Sequence, residues 1–272
     1  MIYLALILIG IMGLSYINTF TWLIESWMNN PYYSHGFLVP IISGYIIWSM
    51  RKELVNIERK QSETGLILFV IGLALNGVGT LYTIRFLSGL SLIVTIAGVI
   101  LYLFGTEFTK RISFPVLFLI LMVPIPFVDV VAPPMQTISA IGSAGVANLL
   151  GIPVQRDGLL LEMPSGTIFE VALECSGLKS VISLLMLSVI YAFILEGSLL
   201  MKFTIVLSSI LLAITGNILR IALMLGIANT YGQDVAVDYF HDFSGIMLFS
   251  VALLGLFIVG RCFGRLKFKK VF

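Results

Sequence analysis

Charged residues are scarce in this chain. Asp, Glu, Lys and Arg make up 11% of its 272 residues, whereas a soluble globular domain contains about 25%. Hydrophobic residues make up 59%, and apolar runs close to the ~20 residues that span a bilayer recur along the sequence. These features exclude a soluble domain and predict a multi-span α-helical membrane protein.

Histidine and cysteine are also rare, with two of each in the chain. Cys175 and Cys262 are too far apart in sequence to indicate a disulfide framework or a metal site, and two histidines exclude a His-rich metal centre. We therefore expect no metal and no cofactor. The net charge of +2, without a basic stripe and interleaved aromatic residues, argues against nucleic-acid binding.

Eight apolar segments predict transmembrane helices. They cover residues 2–22, 36–50, 65–81, 86–104, 112–126, 177–195, 199–227 and 241–259. Segment 133–150 is rich in Gly, Ala and Ser and predicts an interfacial or re-entrant helix. Two short runs around a Pro-Ser-Gly turn at 159–172 predict a β-hairpin. The predicted fold is a single all-α polytopic membrane domain over 1–272, with about eight transmembrane helices and a short extracytoplasmic hairpin.

Basic residues cluster on one side of this predicted topology. The loop at 51–63, the turn at 110–111, Lys202 and the tail after residue 260 hold most of the Lys and Arg residues. By the positive-inside rule this side is cytoplasmic, so we expect both termini inside a cell membrane that the chain crosses many times. A full span at 133–150 would export the basic tail, which is why we favour an interfacial or re-entrant helix there.

Three chemically distinct side chains share the opposite membrane face in this topology. Cys175 begins the sixth span, Arg220 lies in the last third of the seventh, and His241 begins the eighth. An arginine in an apolar run costs about 2.5–3.5 kcal/mol on insertion scales and usually faces a cavity; Asn217 lies one turn before it. A cysteine at a helix start is more often a small buried residue, so a structural interpretation stays open.

The residue types nevertheless suit a cysteine nucleophile. A thiol attacks as the thiolate, and its pKa falls at a helix N-terminus or beside cations such as Lys179 and Arg220. His241 titrates near neutral pH and can transfer protons, with Asp242 as a candidate orienting partner. Arg220 stays charged and can stabilise a thiolate or an oxyanion.

Four ordered motifs resemble those of the exosortase/archaeosortase family. They read Glu-Cys-Ser-Gly-Leu-Lys-Ser at 174–180, Asn-Ile-Leu-Arg at 217–220, His-Asp-Phe-Ser-Gly at 241–245 and Tyr-Ser-His-Gly-Phe at 33–37. The cysteine motif alone is a weak signal. The ordered set covers most of the chain and is specific.

The resemblance implies a membrane-embedded cysteine protease/transpeptidase with Cys175 as nucleophile, Arg220 as electrostatic partner and His241 as acid/base. Substrates of such enzymes are exported proteins whose C-terminal tail carries a recognition motif, a hydrophobic helix and a basic cluster. The tail is cut at the outer face through a thioester, and the new carboxyl end passes to a lipid or cell-surface amine. Asn217, His35 and Lys179 are further candidates for substrate binding.

Other interpretations remain at this point. The chain can be an intramembrane hydrolase without transfer, or a transporter or flippase with Arg220 in the substrate path.

The predicted hairpin at 159–172 also has two interpretations. It either offers an edge to an extended substrate or packs on the helices as a lid. Cys262 is expected to be structural.

Overall fold

The structure is a computed structural model that describes residues 2–232, 235–236 and 241–263. It is mostly helical and contains one small sheet. The chain divides into two compact units, here named the N-terminal unit (1–126) and the C-terminal unit (127–270). The basic residues predicted for the tail lie outside the described residues, except Arg261.

Helices fill the N-terminal unit. They are α1 (Ile2–Ser15), α2 (Ile17–Asn29), α3 (Leu38–Ser49), α4 (Arg51–Leu54), α5 (Glu63–Leu81), α6 (Arg85–Phe104), α7 (Thr106–Arg111) and α8 (Ser113–Phe118), with 3-10 turns at Ser34–Phe37 and Leu119–Met122. The predicted helices at 65–81 and 86–104 are confirmed as α5 and α6.

The first predicted span is a bent pair of helices, not one straight helix over 2–22. α1 and α2 meet at an angle of 60°, with Tyr16 between them. Tyr16 is fully buried, and its hydroxyl lies within hydrogen-bonding distance of the Gly72 carbonyl and the Ser91 and Thr95 hydroxyls. Because a buried hydroxyl needs partners, this network holds the bend against α5 and α6.

Two other predicted spans of this unit contain short helices. The segment 36–50 gives α3 with 12 residues, and 112–126 gives α8 and a 3-10 turn that ends before Pro124. Within the described residues, four helices are long and apolar enough to cross a membrane, or five if the bent pair counts as one span. These four are Glu63–Leu81, Arg85–Phe104, Leu199–Tyr231 and Phe243–Cys262.

The C-terminal unit combines four helices of the described chain with a small sheet. The helices are α9 (Val128–Leu149), α10 (Leu178–Ile194), α11 (Leu199–Tyr231) and α12 (His241–Phe263). The segment 133–150 lies almost wholly within α9, which begins earlier than expected although Pro133 and Pro134 are inside it. α9 has 22 residues but is not among the helices apolar enough to span.

Three antiparallel strands follow α9 in the order β1 (Gln155–Asp157), β2 (Leu160–Glu162) and β3 (Ile168–Glu170). The predicted hairpin is confirmed as β2 and β3, whose turn contains Gly166 at φ +83°. β1 was not predicted, because its three exposed polar residues show no apolar alternation.

The sheet packs on the helices of its own unit. Leu161, Phe169 and Val171 are buried in one cluster with Ala140 of α9 and Leu225 of α11. Small residues along α9 allow side chains of α11 to approach closely, and a Cβ atom added to Gly142 would lie 2.6 Å from Cδ1 of Ile218. The contacts favour the lid interpretation of the hairpin over a free substrate edge.

Glycines bring α5 and α6 into close contact. A Cβ atom added to Gly65 would lie 2.2 Å from the Tyr102 backbone nitrogen, and one added to Gly98 would lie 2.5 Å from the Phe69 backbone nitrogen. Backbone atoms cannot rotate away as side chains can. The pair therefore has the small-residue packing that is typical of membrane helices.

We expect Gly98→Ala to destabilise the protein by about 1–3 kcal/mol, because the added methyl group overpacks this helix contact. The measurement is the thermal unfolding midpoint of the purified protein in detergent. The matched control is Gly77→Ala on α5, where an added Cβ meets no atom within 4 Å, so its midpoint should stay the same or rise. Equal midpoints for the two variants would contradict the close contact.

Candidate active site

Cys175 lies on a tight turn at the start of α10. It belongs to the 3-10 turn Leu173–Ser176, and its side chain is 7% exposed. Gly177 follows with φ +82°, a left-handed conformation that favours glycine, and leads the chain into α10. Cys175 thus precedes the first residue of α10 by three positions. Cys262 is exposed on α12.

Asn217 of α11 holds the backbone of the cysteine turn. Its side-chain amide donates hydrogen bonds to the Cys175 carbonyl oxygen at 2.7 Å and to the Ser139 hydroxyl at 2.9 Å. Ser139 of α9 donates in turn to the Ser176 carbonyl oxygen at 3.2 Å. All three bonds are buried, so α9 and α11 together fix the turn.

Gly177 is needed here for two reasons. Its positive φ disfavours any other residue, and a Cβ atom at this position would lie 2.9 Å from both Cβ and Cγ of Asn217. The missing side chain therefore lets Asn217 reach the carbonyl oxygen of Cys175.

Arg220 lies one helical turn after Asn217 and is half-buried. Its Nε donates to the Ser244 hydroxyl at 3.1 Å, and a Cβ atom on Gly245 would lie 3.9 Å from the guanidinium carbon. Ser244 and Gly245 belong to the motif at 241–245 on α12. The structure therefore joins the second and third motifs through the guanidinium group.

His241 is the first residue of α12, one helical turn before Ser244. Its side chain and that of Asp242 lie outside the described part of the structure. The acid/base role of His241 and the orienting role of Asp242 remain predictions.

Burial raises the pKa of the Cys175 thiol above its ordinary value. The positive charge of Arg220 acts in the opposite direction, and the negative charge of Glu174 adds to the increase. The sequence predicted that nearby cations and the helix N-terminus would lower the pKa of Cys175. That prediction is wrong for this structure, because desolvation of the thiol outweighs the effect of the Arg220 guanidinium group. Lys179 is exposed on α10, where solvent and salt screen its charge.

A narrow pocket opens beside Arg220, between α10, α11 and α12. Asn217, Arg220 and Ser180 supply its polar lining, and Leu184 and Phe249 supply apolar walls. Its volume is about 20 Å³, room for about one water molecule. In the described ranges, no group of three or more His, Cys, Asp or Glu side chains is arranged to hold a metal ion.

His35 is a buried residue of the N-terminal unit. Burial lowers the pKa of its imidazole, while a backbone hydrogen bond with Leu121 opposes that change.

Two side chains in and near the signature form hydrogen bonds with backbone carbonyls of segment 121–125. Trp27 donates to the Met122 carbonyl at 2.8 Å, and the Tyr33 hydroxyl donates to the Ile125 carbonyl at 2.8 Å. The signature at 33–37 therefore packs against segment 121–125, and a substrate contact for His35 stays a prediction.

Two residues of the site were not predicted as such. Ser244 stood inside the third motif, so the motif itself could have indicated it. Ser139 stood on the segment 133–150, where Gln136, Ser139 and Ser143 recur at helical spacing and are all buried. That polar stripe was the available signal for a helix face that contacts the site.

The fold and the site define a helical membrane protein with a buried cysteine turn beside a guanidinium group. A family model described as transmembrane exosortase matches residues 27–258, and the chain therefore belongs to the transmembrane exosortase family. The match covers all four motifs and confirms the resemblance drawn from them. Membership implies, in general, a cysteine transpeptidase. No curated protein and no solved structure gives a significant match.

The two charges near the thiol should have opposite effects on its titration. Arg220→Gln should raise the pKa of Cys175 further, and Glu174→Gln should lower it, because each removes one of the charges that act on the thiol. The measurement is the rate of modification by a small methanethiosulfonate reagent against pH, in a Cys262→Ser background. Only the thiolate reacts, so the midpoint of the profile follows the pKa.

The control for this titration is Lys179→Gln, which removes an exposed positive charge from the same helix start. Its midpoint should equal that of the parent protein. A downward shift in Arg220→Gln, or identical midpoints in all three variants, would contradict this description of the thiol environment.

Asn217→Ala should loosen the cysteine turn, because it leaves the Cys175 carbonyl without this donor. The loss of a buried partner costs about 1–3 kcal/mol. We expect a lower thermal midpoint and faster hydrogen–deuterium exchange in peptides that cover 173–181. Asn229→Ala is the matched control, an exposed asparagine on the same helix, and it should change neither. Unchanged exchange in Asn217→Ala would contradict the role of this amide.

Proposed function

We propose that this chain is a membrane-embedded cysteine protease/transpeptidase. It cuts the C-terminal sorting signal of exported proteins and transfers their new carboxyl ends to a lipid or cell-surface acceptor. The observation that carries the proposal is the buried Cys175 turn, whose carbonyl accepts a hydrogen bond from Asn217 of α11. Asn217 lies one helical turn from Arg220 on the same helix. Family membership supports the same reaction class.

Cys175 is the nucleophile in this proposal, Arg220 its electrostatic partner and His241 its acid/base. Burial raises the pKa of the thiol, which favours its protonated form, so we assign a base to take the proton before attack. We assign that step to His241, which begins α12 one turn before the residue that binds Arg220. The guanidinium stays charged and suits a thiolate or an oxyanion.

The reaction proceeds in two balanced halves. The Cys175 sulfur attacks the scissile carbonyl while its proton passes to His241, and Arg220 stabilises the oxyanion. The C–N bond then breaks, the leaving amine takes the proton from His241, and a thioester remains. An acceptor amine, deprotonated by His241, attacks the thioester, forms an amide and releases the thiol, which regains the proton. Water in place of the amine gives hydrolysis.

The length of α10 supports cleavage at the membrane boundary. It has 17 residues, or about 26 Å at 1.5 Å per residue, slightly less than the ~30 Å hydrocarbon core. This length is consistent with a cysteine turn near the interface. We propose eight spans in all, with the active site at the extracytoplasmic face and both termini cytoplasmic. We also propose one functional domain over 1–272, since the family match extends across both units.

Of the three candidates for substrate binding, one is better assigned to positioning and two remain candidates. Asn217 uses its amide donor on the protein itself, so we assign it to positioning the cysteine turn. Lys179 is exposed four residues after Cys175, where it can meet a substrate carbonyl or carboxylate. His35 stays a candidate on the strength of its motif alone.

The test compares exported proteins from hosts that produce either the natural chain or its Cys175→Ala variant. We expect at least one protein to keep its C-terminal hydrophobic tail only with Cys175→Ala, as read by mass spectrometry of C-terminal peptides. The mass at the mature C-terminus then separates transfer from hydrolysis. Cys262→Ala is the control and should process tails normally. Identical tails in all hosts would contradict the proposed function and favour a transport role.

A further inference from the structure

A pocket of about 310 Å³ lies within the N-terminal unit, and none of its lining residues has a role in the proposed reaction. It forms where α2 meets the end of α5 and the start of α6. Much of its lining is polar, with Asn18, Thr21, Thr80, Ser88, Glu25 and Arg85 among the residues that face it. Charged side chains beside helices of this apolarity usually mark a site.

The pocket carries one charge of each sign. Glu25 and Arg85 both line it, and within the described part of the chain neither side chain forms an ion pair or a hydrogen bond. Both side chains are exposed and so remain able to bind a ligand. A ligand that bears a cationic and an anionic group would match the two.

The turn between α5 and α6 adds a strained residue to the same pocket. Thr83, which lines it, has φ +60°, an outlying conformation for a β-branched residue. Among the described residues it is the one position with positive φ that is not glycine. Such strain persists where the surrounding structure imposes it, and it clusters at binding sites.

Exposed apolar side chains occur on the same three elements. Ile17, Ile24, Leu81 and Ile84 are large and exposed. They lie on α2, at the end of α5 and just before α6, and α5 and α6 are long and apolar enough to cross a membrane. These elements therefore offer apolar surface that could meet the acyl chains of a bound lipid.

We propose that this pocket binds the phosphate and primary amine of a zwitterionic phospholipid headgroup. Arg85 takes the phosphate, because a guanidinium can donate two parallel hydrogen bonds to its oxygens. Glu25 takes the ammonium, whose three donors also suit hydroxyl acceptors such as Thr21 and Thr80. An anionic headgroup without an amine would meet the negative charge of Glu25, and a choline headgroup has no N–H to donate. The proposal does not depend on the role of Cys175.

The experiment titrates the full-length protein in detergent with phospholipids of one chain length and follows binding by native mass spectrometry. The probes are phosphatidylethanolamine, phosphatidylglycerol and phosphatidylcholine. We expect phosphatidylethanolamine to bind at least fivefold more tightly than the other two. Glu25→Gln and Arg85→Gln should each weaken its binding at least fivefold, and Glu25→Gln should also reduce the preference over phosphatidylglycerol.

Matched controls are Glu63→Gln and Lys52→Gln, which remove exposed charges of the same unit outside the pocket and should leave binding unchanged. Unchanged thermal midpoints show that the variants fold, and Arg85→Lys replaces Arg85→Gln if that variant does not. Equal affinity for the three lipids, or equal binding by pocket and control variants, would overturn the proposal.

A soluble ligand offers the same headgroup chemistry, and a fourth probe separates the two sources. Glycerophosphoethanolamine carries the phosphate and the amine without acyl chains. We expect it to bind more weakly than the lipid. Binding as tight as that of the lipid, with the same loss in Glu25→Gln and Arg85→Gln, would assign the pocket to a soluble zwitterion and overturn the membrane source.

Discussion

The hydrogen bond from Asn217 to the Cys175 carbonyl oxygen is the contact on which the candidate site depends. It joins the cysteine turn to α11, and the second bond of the same amide brings in α9 through Ser139. Arg220 lies one turn further along α11, so the helix that holds the turn also carries the guanidinium group. Ser244 then ties that group to α12. One polar face of α11 therefore connects three separate motifs.

Burial and charge oppose each other at the thiol, and this opposition suits a nucleophile that is idle without substrate. Desolvation raises the pKa of Cys175, and Arg220 only partly offsets it. A raised pKa lowers the fraction of thiolate, which is the form that reacts. The proposed reaction therefore needs a base at the moment of attack, which gives His241 a role that Arg220 cannot fill, because a guanidinium stays charged.

The sequence allowed prediction of features that depend on local pattern. Apolar runs predicted α5 and α6, a Pro-Ser-Gly turn predicted β2 and β3, and ordered motifs predicted the family. Features that depend on tertiary contacts were missed. The bend at Tyr16 rests on a hydroxyl network with residues distant in sequence, and the direction of the Cys175 pKa shift rests on burial, which spacing does not reveal.

The most direct test of the central claim is the intact mass of the protein after brief incubation with a tail-bearing substrate and acid quenching. The account predicts an adduct equal in mass to the substrate without its tail, attached at Cys175 and released by hydroxylamine as expected of a thioester. Cys175→Ser with Cys262 intact should carry no hydroxylamine-labile adduct. Cleaved substrate without any adduct at Cys175, or an adduct at another residue, would contradict the account.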